Sequence, residues 1–80
     1  MTDKDTIPQV FWDNFQWATE HSTELHHQYE DVWVAIANHK VVASGLNPVR
    51  LREIAARRTG LRTEEIVVEF IESAGAILWL

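Results

Sequence analysis

Apolar residues recur at helical spacing in the first third of the chain, run together or alternate in its centre, and return to helical spacing after Asn47. From Pro8 to about Tyr29 the pattern predicts an amphipathic helix. Phe11, Phe15, Ala18, Ser22, Leu25 and Tyr29 fall on one stripe, with Trp12 and Trp17 on its flanks. Asp13, Glu20, Glu24 and His27 occupy the far face. Pro8 suits a first turn, and Asp13 places an acid near the positive end of the helix dipole. The second half, EHSTELHHQY, is poorer in apolar residues, and fraying or a break is expected there.

Residues Val32–Ala37 (VWVAIA) and Val41–Ser44 (VVAS) are rich in β-branched residues and read as two strands. Asn38 and His39 between them fit a two-residue loop, and Asn accepts the positive φ of a type I′ turn. That loop implies a register: Ile36 opposite Val41, Val34 opposite Ala43, Val32 opposite Gly45. Trp33, Ala35, Ala37, Val42 and Ser44 then share the other face. Both faces are largely apolar, so a layer is expected on each.

Asn47 is a strong N-cap with Pro48 at the first helical position, and Gly60 is placed to end that helix. Leu46 and Leu51 are spaced as a hydrophobic staple. Leu51, Ile54, Ala55 and Leu61 form the apolar stripe, and Arg57 and Arg58 suit the last turn. Ile66–Ile71 (IVVEFI) reads as a third strand, with Ile66, Val68 and Phe70 on one face. Ser73–Gly75 is an expected turn and Ala76–Leu80 an expected fourth strand. The fold class is α+β, in the order αββαββ, with a small antiparallel or mixed sheet. The Leu51–Ile54–Ala55 helix is expected on the Val32/Val34/Ile36 face and the N-terminal helix on the other, in its own subunit or across a dimer.

The runs VWVAIANHKVVASG, LNPVRLREIAARRTG and EEIVVEFIE resemble domain-of-unknown-function family 5678, over about residues 29–80. The matching positions are Tyr29, Trp33, Val34, Ala35, Lys40, Val41, Val42, Ala43 and Gly45. Asn38-His39 departs from the family's Asp-Gly-like turn, and the aromatic helix before Tyr29 lies outside its core. The resemblance implies a small prokaryotic protein of ββαβ type, with no established activity and an accessory role.

Eighty residues imply one domain spanning 1–80, with residues 1–6 expected to be disordered. A chain this small buries only about 60% of its unfolded surface, so a partner would help its stability. The absence of cysteine favours a reducing compartment, and the basic start and apolar run of a signal peptide are not expected. The cytoplasm is the implied location. Net charge is −5, unevenly spread. Residues 1–31 hold seven acids and one base; residues 46–63 hold five arginines and one acid; residues 64–80 hold four acids and no base. That balance disfavours a general nucleic-acid binder.

Candidate chemistry is sparse. His21 and His27 lie about 120° apart on a helix and His26 points elsewhere, so a three-ligand metal site on one helix is not expected. No serine sits in a nucleophile motif, and each glycine is explained by a turn or cap. No catalytic, cofactor or metal site is therefore assigned, and the chain reads as a non-enzyme. Four tryptophans in so short a chain are more than a small interior needs, and tryptophan is enriched at interfaces. Phe11, Trp12, Phe15, Trp17, Trp33 and Trp79 are the candidate protein interface, for a homo-oligomer, most simply a dimer, or another protein partner. An antitoxin-like or adaptor role fits such a module. Arg50, Arg52, Arg57 and Arg62 are candidate anion or nucleic-acid contacts, for an alternative role as a small regulator.

Overall fold

The structure, a computed structural model, describes residues 7–72. Helices α1 (Gln9–Glu20) and α2 (Ser22–Gln28) precede strands β1 (Val32–Ala37) and β2 (Lys40–Gly45). Helix α3 (Pro48–Thr59), a 3-10 turn (Thr63–Glu65) and strand β3 (Val67–Ile71) follow. The three strands form one antiparallel sheet in the order β2-β1-β3. The fold class is α+β, with the described elements ordered ααββαβ. The expected turn at Ser73–Gly75, the strand at Ala76–Leu80 and Trp79 lie outside the described residues.

Locally coded features fall where the sequence places them. Asn38 and His39 both take left-handed backbone angles, φ 55° and 57°, as a type I′ turn requires. The Asn47 side chain accepts from the backbone N–H of Val49 and Arg50, both at 3.1 Å. Gly60 closes α3 with φ 78°, and its N–H donates to the Ala56 carbonyl.

The single N-terminal helix breaks at His21, whose φ of −109° and ψ of 20° leave the helical region. His21 Nδ1 lies 2.8 Å from the Trp17 carbonyl oxygen. A carbonyl can only accept, so Nδ1 carries the proton. The imidazole thus takes part in ending α1, and its ring stacks on Trp17 at 4.5 Å. The break lets α2 turn and bury Leu25. The buried stripe of α1 is also rotated from the expected one. Asn14 and Ala18 are its buried residues, whereas Phe15 stays exposed.

The hairpin register holds at Ile36–Val41 and then slips. Beyond a bulge, Ala43 pairs with Ala35, Ser44 with Val34, and Gly45 with Trp33. Val42 is the extra residue. The bulge breaks strict alternation, so Val42 and the adjacent Ala43 both pack with the Ala35/Ala37 cluster. The apolar run Val41-Val42-Ala43 tolerates this, because any of the three can face inward.

The faces are also exchanged relative to expectation. Helix α3 packs Leu51 and Ala55 on Ala35, Ala37 and Ile66, while α1 and α2 pack Ala18 and Leu25 on Val34, Ile36, Val67 and Ile71. Small side chains explain the choice. Ala35, Ala37 and Ala43 present a shallow surface, and a Cβ added at Gly45 would sit 3.7 Å from Leu51 Cδ1. Helix α3 can therefore lie close to that face. The expected staple does not form: Leu46 is 79% exposed while Leu51 is buried. Gly45 faces Leu51, so the next residue along the extended chain points away. Both faces of the hairpin are thus covered by helices of the same chain.

Candidate interaction surface

Helix α1 carries two flanks around its buried stripe. At about 100° per residue, Phe11, Phe15, Thr19 and Trp12 follow one another around one side, and Trp17, Asp13, Glu20 and Gln16 around the other. The first flank is aromatic and uncharged. Trp12 is 46% exposed and Phe15 40%. Phe11, Trp12 and Phe15 form an edge-to-face chain, with ring centroids 5.3 and 6.0 Å apart. Phe11 anchors it by packing on the Val34/Ile36 cluster.

The other two described tryptophans are built further into the fold. Trp17 packs on the Val34/Ile36 cluster. Trp33 packs with Ala35 and meets the Phe70 ring edge-on at 5.3 Å. The candidate interface therefore does not form one patch. Phe11, Trp12 and Phe15 are brought together, Trp17 lies on the opposite flank of α1, and Trp33 lies on the α3 side of the sheet.

The arginines divide in the same way. Arg52 Nη1 donates to the carbonyls of Ile66 (2.9 Å) and Thr63 (3.2 Å), which ties α3 to the 3-10 turn. Arg62 approaches Glu64 at 3.4 Å and Glu65 at 3.6 Å. Arg50 and Arg57 remain on the outer side of α3, where they line a small depression with Glu53 and Ile54. Arg58, in the last turn of α3, donates from Nη1 to the Val42 carbonyl at 3.0 Å.

Two carboxyls are displaced from their ordinary pKa. Partial burial of Glu69 on β3 pushes it up, partly offset by His26. Glu64 is held down, first by its own backbone N–H and further by Arg62. His21 and Glu24 approach to 4.0 Å. Among the described residues, no three His, Cys, Asp or Glu side chains gather where a metal ion could be held. None of the described helices is long and apolar enough to cross a membrane.

Sequence reasoning missed two features around Trp17. One is Asn14, a polar residue at the centre of the buried stripe. The other is a shallow groove of about 350 Å³ between α2 and β2, which brings Tyr29 and Lys40 to Trp17. The sequence reads Tyr29 as a helix-stripe and family-like position and Lys40 as a family-like one; their proximity to Trp17 depends on the turn at His21.

The profile of a family of unknown function, DUF5678, matches residues 24–73, more than half of the chain. The match covers α3 and the whole sheet, and leaves α1 outside. No curated protein and no solved structure matches the chain.

Proposed function

We propose that this chain, which belongs to the family of unknown function DUF5678, is a small non-enzymatic protein-interaction module that pairs with a second copy of itself through the aromatic flank of α1. The observation that carries the reading is the exposure of Trp12 and Phe15 side by side. Fully burying a large apolar side chain contributes about 1.5–3 kcal/mol. Two half-wet rings on an 80-residue chain therefore leave usable burial for association.

Spacing points to a second copy as the occupant. Trp12 and Phe15 are adjacent on the helix surface. A two-fold axis passing between them sets Trp12 against the partner subunit's Phe15 and Phe15 against the partner subunit's Trp12. One patch then serves both sides of a closed dimer. The acids Asp13 and Glu20 sit on the other flank of α1, which keeps the helix's own carboxylates out of the contact.

The dimer would act as an accessory scaffold, antitoxin-like or adaptor-like, in the cytoplasm of a prokaryotic cell; the absence of cysteine suits that compartment. A second reading is favoured by one observation. The side chains of Arg50 and Arg57 make no ion pair within 4.0 Å among the described residues, and a nucleic-acid-associated regulator would use them. Glu53 between them and the overall negative charge count against it.

Sedimentation velocity across micromolar dilution tests the leading reading. The wild type should form a dimer that dissociates on dilution, and the Trp12→Ala/Phe15→Ala double variant should stay monomeric. A wild type that is monomeric throughout, or a double variant that dimerises equally, would overturn it.

A further inference from the structure

The flank of α1 opposite Trp12 and Phe15 carries a different surface. Two shallow depressions meet at Trp17. One, of about 350 Å³, has Leu25, Tyr29 and Val41 as its apolar lining, with Glu24 and Lys40 also at its surface. The other, of about 290 Å³, runs toward the hairpin tip between Asp13, Glu20 and His39. Both use Trp17 as a wall, so the two depressions lie side by side along α1, α2 and the β2 edge of the hairpin, and together they make a track.

We propose that this track binds an extended segment of another protein in which arginine residues alternate with apolar ones. The aromatic lining locates the site, and charge selects its occupant. Asp13 accepts from Gln9 Nε2 at 3.1 Å and Glu20 from Gln16 Nε2 at 3.2 Å, both neutral donors. Glu24 approaches only His21, at 4.0 Å. No lysine or arginine lies within 4.0 Å of these three carboxylates among the described residues. Lys40 is the one Lys or Arg among the residues lining the track. Its summed charge at neutral pH is therefore negative, and an incoming cation finds carboxylates without a cation already in place.

Arginine suits the lining better than lysine. A guanidinium is planar and weakly hydrated, and it can stack on the Trp17 or Tyr29 ring while pairing with a carboxylate. Apolar residues between the arginines would fill the Leu25–Val41 depression. A second copy of this chain is a poor source of the segment. Its arginines are held in and around folded α3, and Arg52, Arg58 and Arg62 are engaged within the fold.

The test is a low-salt titration of the isotope-labelled full chain, read by nuclear magnetic resonance. The probe is an acetylated, amidated Arg-Leu-Arg-Leu peptide, with Glu-Leu-Glu-Leu as its control. Saturable shifts are expected at the Trp17 indole N–H and at the Tyr29, Lys40 and Val41 amides. The Glu20→Gln/Glu24→Gln double variant should bind about fivefold more weakly, as expected for two exposed charge contacts. Glu53→Gln, the same chemical change on α3, should leave binding unchanged. Glu20, Glu24 and Glu53 are all solvent-exposed, so an otherwise unaltered spectrum verifies that the fold persists. The proposal is overturned if no saturable shift occurs, if the acidic peptide shifts the same resonances equally, if shifts map to α3, or if the double variant binds like the wild type.

Discussion

The Asn14 side chain accepts the backbone N–H of His39 at 2.8 Å, across 25 residues of sequence. Its own Nδ2 donates to the Val10 carbonyl at 2.9 Å, so one buried carboxamide ties α1 to the tip of the hairpin. Asn14→Ala removes both bonds and leaves a small cavity. A cost of about 1–3 kcal/mol is expected, or roughly 4–8 °C of melting temperature per kcal/mol for a domain of this size. Hydrogen exchange gives the specific signature. The His39 amide should lose its protection in the variant, while amides in the centre of β1 stay protected.

The two described glycines should respond in opposite ways to alanine. Gly60 has φ 78°, where an L side chain is strained, so Gly60→Ala should cost about 1 kcal/mol in a denaturant melt. At Gly45 the added methyl would meet Leu51 Cδ1 at 3.7 Å, an ordinary contact, and φ is not positive. Gly45→Ala should therefore be neutral or slightly stabilising.

Glu69 lies on the sheet face that α1 and α2 cover, and burial raises its pKa above the ordinary 4.5. The folded protein then holds this proton more tightly than the unfolded chain. Stability should rise as pH falls through the folded-state pKa, and the gain should be complete once pH is below the ordinary value. Glu69→Gln abolishes that segment of the pH profile. The variant should be more stable than wild type at pH 7, and the difference should close toward pH 4. Thermal melts across that range measure it.

Strand β2 is an edge strand within the three-stranded sheet, and two features blunt it. The bulge at Val42 interrupts its ladder, and the Arg58 guanidinium occupies the Val42 carbonyl. Arg58→Ala should expose that carbonyl and raise strand-mediated aggregation, read as faster thioflavin-T growth on mild heating. Arg57→Ala makes the same charge change away from β2 and should not.

Much of this fold is legible in the sequence because its signals are local. Asn38-His39 codes its own turn, and Asn47, Pro48 and Gly60 bound α3 through backbone chemistry that needs no distant partner. The bulge was hidden because Val41, Val42 and Ala43 are all apolar and erase the alternation that would mark it. The exchange of sheet faces was hidden for a different reason. It depends on how closely α3 approaches Ala35, Ala37 and Gly45, which is a matter of volume rather than polarity. Asn14 reads as a surface residue until the His39 amide is brought to it. For the surfaces, aromatic content marked Trp12 and Phe15 as candidates. The track at Trp17 required the turn at His21, which sequence suggested only as a weakness in the helix.

Association through an uncharged aromatic flank carries its own signature in the salt dependence of self-association. Two chains of net charge −5 repel at long range, and salt screens that repulsion while leaving apolar burial intact. Sedimentation equilibrium of the wild type at about 50 and 500 mM sodium chloride, where the Debye length falls from roughly 14 to 4 Å, supplies the comparison. The wild type should form a dimer whose dissociation constant decreases at the higher salt. A chain that stays monomeric at both concentrations, or a dimer that weakens as salt rises, would contradict association through that flank.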